Sequence, residues 1–106
     1  MVDDSKADAA FSELAAALAA EGFAEGKMFG LRCLKYGGKA VVALHSGGAA
    51  VKLGNGSAAH AAAQRLPGAA EFDPAGGRPM KDWVWLPADE SAQWPEYARL
   101  AGEKIG

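Results

Sequence analysis

Phe11, Leu14 and Leu18 recur at three- and four-residue intervals in DDSKADAAFSELAAALAAEG, with alanines widening the stripe between them. That spacing places the three side chains on one face of a helix and predicts an amphipathic α-helix packed against an apolar surface. Ser5 followed by Asp8 has capping-box spacing at its start, and Gly22 supplies a residue suited to the stop. Beyond it the pattern becomes one of alternation, in KMFGLRCLKYGGKAVVALHSGGAAVKL. Gly37-Gly38 lies between two apolar runs, and Gly47-Gly48 repeats the signal one strand later; both are hairpin signatures, because glycine accepts positive φ. The reading is three antiparallel strands near residues 28–36, 39–46 and 49–53. Alternation puts Val42 and Leu44 on one face, with Val41, Ala43 and His45 on the other. Lys52 between Val51 and Leu53 makes one face of the third strand polar.

GNGSAAHAAAQRLPG reads as a short second helix, capped by Asn55 or Ser57 and stopped by Pro67-Gly68. AAEFDPAGGRPMK is rich in turn residues and reads as irregular. DWVWLP is a strand ended by Pro87, with Trp83 and Trp85 on one face. DESAQWPEYARLAGEKIG is a last helix, burying Trp94, Tyr97, Ala98, Ala101 and Ile105, with Pro95 tolerated in the first turn. The order is αβββαβα. It predicts an α+β domain of two layers: one antiparallel sheet of about four strands, with the first and last helices on one face.

Composition narrows this picture. The 106 residues suit a single domain spanning the whole chain. Half of them count as hydrophobic, but twenty-five are alanine, so the core is expected to be small and its aromatic residues important. The net charge of −2 and pI of about 5.6 speak against a duplex-binding surface, which usually shows as a basic total. No run approaches the roughly 18 apolar residues of a membrane span, and the acidic N-terminus lacks the basic start of a signal peptide. Cys33 stands alone and cannot form an internal disulfide. The chain is expected to be cytoplasmic and without membrane contact.

Candidate chemistry is sparse. LGNGSAAH places a glycine loop before a helix N-terminus, but lacks the GKS or GKT ending of a phosphate loop, so an ordinary turn and cap is favoured. His45 and His60 each lack a second ligand at metal-binding spacing, and His60 reads as a surface residue of a short helix. Cys33, inside a strand with Arg32 turned to the opposite face, reads as a buried, inert thiol. Ser46 follows His45 directly, and strand neighbours point apart, so they form no nucleophile–base pair. Glu71 and Asp73 could sit together, but nothing near them suggests the burial that separates paired carboxylate pKa values. The reading is a non-enzyme with no catalytic residue, no metal and no cofactor.

MFG at Met28–Gly30, a hairpin ending in Gly38-Lys39, VKL at Val51–Leu53 and FDP…GGRPMKDWVWLP together resemble the N-terminal domain of the TfoX/Sxy family, which is similar to the wider group of small YjbR-like proteins. The resemblance runs from Met28 to about Tyr97, and GRPMKDW is its most specific piece. It implies an α+β domain with an antiparallel sheet, here as a short stand-alone member. The name-giving members regulate natural competence and carry an additional C-terminal helical domain; the resemblance brings no catalytic residues.

Two functions follow. The first is a small interaction module for a protein partner or for itself, a homodimer included, because DWVWLP is apolar on both faces and two layers cover only one. The second is a transcription- or competence-linked module that binds nucleic acid weakly through Arg32, Lys35, Lys52, Arg78 and Lys81 with tryptophan stacking. The candidate partner or anion contacts are Arg78, Lys81, Trp83, Trp85 and Lys52. GGRPMKDW itself reads first as a turn. Gly76 and Gly77 permit unusual backbone angles, and Pro79 holds Arg78 extended. The Arg78 guanidinium is then free to satisfy loop carbonyls or the carboxylate of Asp73 or Asp82.

Overall fold

The computed structural model describes residues 5–105, the side chain of Ile105 excepted, so the predicted burial of Ile105 lies outside the described residues. Helix α1 (Ser5–Leu18) passes through a 3₁₀ turn (Ala19–Glu21) to Gly22, whose φ of +96° ends it. Four strands follow, β1 (Phe23–Met28), β2 (Leu31–Tyr36), β3 (Lys39–His45) and β4 (Gly48–Lys52). Helix α2 (Ala58–Gln64), the two-residue strand β5 (Ala70–Glu71), β6 (Trp83–Pro87), a 3₁₀ segment (Ala88–Gln93) and α3 (Trp94–Ile105) complete the chain. All strands pair antiparallel in one sheet of order β1-β2-β3-β4-β6-β5.

The α+β class and the antiparallel sheet agree with the sequence reading, whereas the strand count does not: the described residues form six strands, not about four. The run read as one strand from residue 28 is the end of one strand and all of the next. Phe29 and Gly30 form a two-residue turn with φ of +53° and +77°, and β1 folds back on β2 through it. Phenylalanine is not a turn residue, and FAEGKM does not alternate, so neither signal was present. The β3–β4 turn is likewise Ser46-Gly47, with φ of +47° and +76°, rather than Gly47-Gly48. Gly48 opens β4 and is glycine for another reason. A Cβ there would lie 2.6 Å from the Trp85 ring and against the Leu86 carbonyl oxygen.

One face of the sheet presents the row Leu34, Val42, Val51 and Val84, each the register partner of the next. Phe11, Leu14 and Leu18 of α1 and Trp94, Tyr97, Ala98 and Ala101 of α3 bury this row. α2 adds Ala63 on the same side. The alanines let helices approach closely; at Gly102 a Cβ would lie 2.8 Å from the Phe23 ring. Val41 departs from the predicted alternation. A bulge opposite Leu34 and Lys35 shifts the register, and Val41 packs in the same cluster as Val42 rather than with Ala43.

The second face is not bare. Its row is Cys33, Ala43, Ala50 and Trp85, small on three strands, and Phe72 fits over the small residues. Phe72 is fully buried and Trp83 is 6% exposed, their rings 5.3 Å apart. The chain therefore leaves α2, adds β5 at the sheet edge, and returns across the second face before entering β6. Both faces of the two-faced apolar strand are covered by this chain's own residues.

Candidate functional site

The crossing segment is organised by one carboxylate. Asp73 Oδ1 accepts the backbone N–H groups of Gly76, Gly77 and Arg78 at 2.9, 3.0 and 3.2 Å, with Gly76 at φ +73°. Those donors, Gly77 first, hold its carboxyl below the usual carboxylate range. The loop closes where the Met80 N–H meets the Phe72 carbonyl at 2.8 Å. GGRPMKDW is thus a turn built by its backbone. The Arg78 guanidinium bonds neither Asp73 nor Asp82, against the expectation, and has no hydrogen-bond or ionic partner among the described residues. Asp82 instead ties in the loop after β4: its Oδ1 accepts Asn55 N–H, and its carbonyl accepts those of Leu53 and Gly54.

The five candidate contacts do not converge. Arg78 is exposed and borders a largely apolar cleft of about 410 Å³ with Phe29, Leu31, His45, Pro74 and Met80. Lys81 and Trp83 border a more polar cleft of about 390 Å³ at the β5–β6 edge, with Asn55, His60, Gln64 and Glu71. Lys52 lies beside Asp82 and Lys104 in a third. Trp83 is buried against Phe72, and Trp85 donates its Nε1–H to the His45 carbonyl at 2.7 Å, so both indoles serve the fold. Arg32, counted among the cations that could meet nucleic acid, is held on the helix side. It forks onto Glu25 at 2.8 and 3.0 Å, reaches Ser12 and Asp8, and lies 5.0 Å over the Phe11 ring.

The isolated residues resolve as follows. Ser57, not Asn55, caps α2: its Oγ accepts the His60 N–H at 3.1 Å and donates to the Leu53 carbonyl at 2.7 Å. This is the ordinary cap that was favoured over a phosphate loop. His60 is buried rather than a surface residue, 5% exposed, because Nε2 reaches the Lys81 carbonyl at 2.9 Å and ties α2 to the entry of β6. Cys33 is buried, and burial pushes its thiol above the ordinary range. Among the described residues no three His, Cys, Asp or Glu side chains are grouped to hold a metal ion, and no helix is long and apolar enough to cross a membrane.

Sequence reasoning missed Phe29, at 72% the most exposed large apolar side chain among the described residues. Its left-handed backbone fixes it at the tip of the β1–β2 hairpin, pointing away from the core. The MFG motif was visible, but its role as a hairpin tip depended on β1. Comparison with family models, curated proteins and solved structures finds no match.

Proposed function

We propose that the chain is a small, non-enzymatic interaction module, similar to the TfoX N-terminal domain, that associates through its β1 edge with a protein partner, a second copy of itself included. The observation that carries this reading is the edge itself. β1 spans six residues without proline, and among the described residues it pairs only with β2. Its outer backbone groups form a row able to extend the sheet into another chain. Phe29 stands exposed at the end of this edge.

The edge is self-complementary in charge. Two copies of β1 paired antiparallel about Gly26 would set Glu25 of each opposite Lys27 of the other, a favourable cross-strand pair. The test is solution mass as a function of concentration, by light scattering or sedimentation. The wild type is expected to dimerise, Lys27→Glu to be monomeric, and Glu25→Lys/Lys27→Glu to dimerise again. The swap also keeps Arg32 beside a carboxylate, because Lys27 and Arg32 are register partners. A wild type that stays monomeric at millimolar concentration refutes self-association and leaves only a different partner for this edge.

A further inference from the structure

The cleft between the β1–β2 turn and the Asp73–Met80 loop has a composition that the strand edge does not explain. Its volume of about 410 Å³ lies in the range of small-molecule sites. Phe29, Leu31, Pro74, Ala75 and Met80 give it an apolar lining. Among the described residues, the only side chains that bring polar groups to it are those of Arg78 and His45.

Arg78 is the informative one. Arg32 and Arg99 each fork onto a glutamate, at 2.8–3.0 Å and 2.9–3.2 Å. Arg78, like Arg65, has no such partner among the described residues, and of the two only Arg78 lines this cleft. The neighbouring acid, Asp73, directs its Oδ1 to three backbone N–H groups of the same loop. One oxygen of the loop's anion is taken up by the loop's own backbone, while its cation is exposed and lines an apolar cleft without an ionic partner among the described residues. That combination is complementary to a ligand with one anionic end and one apolar end. Guanidinium matches carboxylate geometry with two parallel hydrogen bonds, which a lysine cannot reproduce.

We infer that this cleft binds a small free carboxylic acid with an apolar body. The carboxylate sits on the Arg78 fork, and the hydrocarbon covers Leu31, Met80 and the Phe29 ring. A peptide segment fits less well. Its amides would lose water against Phe29, Pro74 and Met80 without gaining hydrogen bonds, whereas a hydrocarbon tail has none to lose. The inference stands on the cleft alone, and ligand binding is measured separately from strand-edge pairing.

The test is a titration of the ¹⁵N-labelled full chain with octanoate, octan-1-ol and octylammonium, followed by amide shifts. Saturable octanoate shifts are expected at the amides of residues 29–31, 75–78 and 80, with affinity on the order of millimolar or better for so small a ligand. The alcohol and the ammonium should bind about tenfold more weakly or worse. Arg78→Gln should weaken octanoate by a similar factor at an unchanged melting temperature, with Arg78→Lys in between. Equal binding of octanol, unaltered octanoate binding by Arg78→Gln, or shifts that map elsewhere would overturn the assignment. An N-acetylated dipeptide ending in leucine that binds more tightly than octanoate would overturn it too, in favour of a peptide C-terminus.

Discussion

Phe72→Ala tests whether the crossing segment holds the second face of the sheet. Phe72 is fully buried over Cys33, Ala43 and Ala50, edge-on to His45 at 5.6 Å and tilted on Trp83 at 5.3 Å. Those three neighbours are small and sit on paired strands, so they cannot swing in to fill the space a lost ring leaves. The expected cost is therefore that of a truncation whose site cannot collapse, about 3–5 kcal/mol. A domain of this size has roughly 5–15 kcal/mol in total, and each 1 kcal/mol shifts melting by about 4–8 °C. Melting should thus fall by at least about 12 °C. The assay is thermal unfolding by far-UV circular dichroism, with the fluorescence of the three tryptophans as a second probe. Native Cys33 should also react with a thiol reagent far faster in the variant, because Phe72 covers it. A melting temperature within about 3 °C of wild type, with Cys33 still protected, would refute the claim that Phe72 closes this face.

Gly48→Ala should destabilise by about 1–3 kcal/mol in urea unfolding, since its Cβ meets the Trp85 ring and a backbone oxygen that cannot both yield; an unchanged midpoint would show that β4 and β6 are not packed this closely. The Glu25 carboxyl is held below its ordinary value, first by its hydrogen bonds from Arg32. Its contribution is present above the unfolded pKa of about 4.3 and is lost as pH falls through the lower folded value. Glu25→Gln should therefore flatten the decline in melting temperature below about pH 4.5, and identical pH profiles would contradict the pairing. Any binding to duplex DNA should be weak and vanish as salt rises through physiological values; retention there would favour a regulatory role.

Much of the fold was legible because it depends on local periodicity and turn chemistry. The spacing of Phe11, Leu14 and Leu18 marks the buried stripe of α1 whatever it packs against. Gly37-Gly38, with φ of +61° and +81°, makes its hairpin for reasons internal to two residues. Trp83 and Trp85 share a face because strand side chains alternate. The class and antiparallel sheet followed from these facts.

Tertiary structure decided what local pattern could not. β1 exists because β2 pairs with it, and a phenylalanine takes left-handed backbone angles at its end because that pairing requires a tight turn there. Val41 changes company because a bulge moves the register, which depends on two strands at once. His60 is buried because the entry of β6 offers it a carbonyl 21 residues away. The largest revision concerns the candidate site. Sequence alone showed an apolar strand with two faces and a helix layer for only one of them. Folding brings Phe72 across the other, so Trp83 is consumed by the core, while Phe29 and the guanidinium of Arg78 are left outside. Which apolar and charged groups remain uncovered is a property of the whole surface, because coverage is settled only when every segment has found its place.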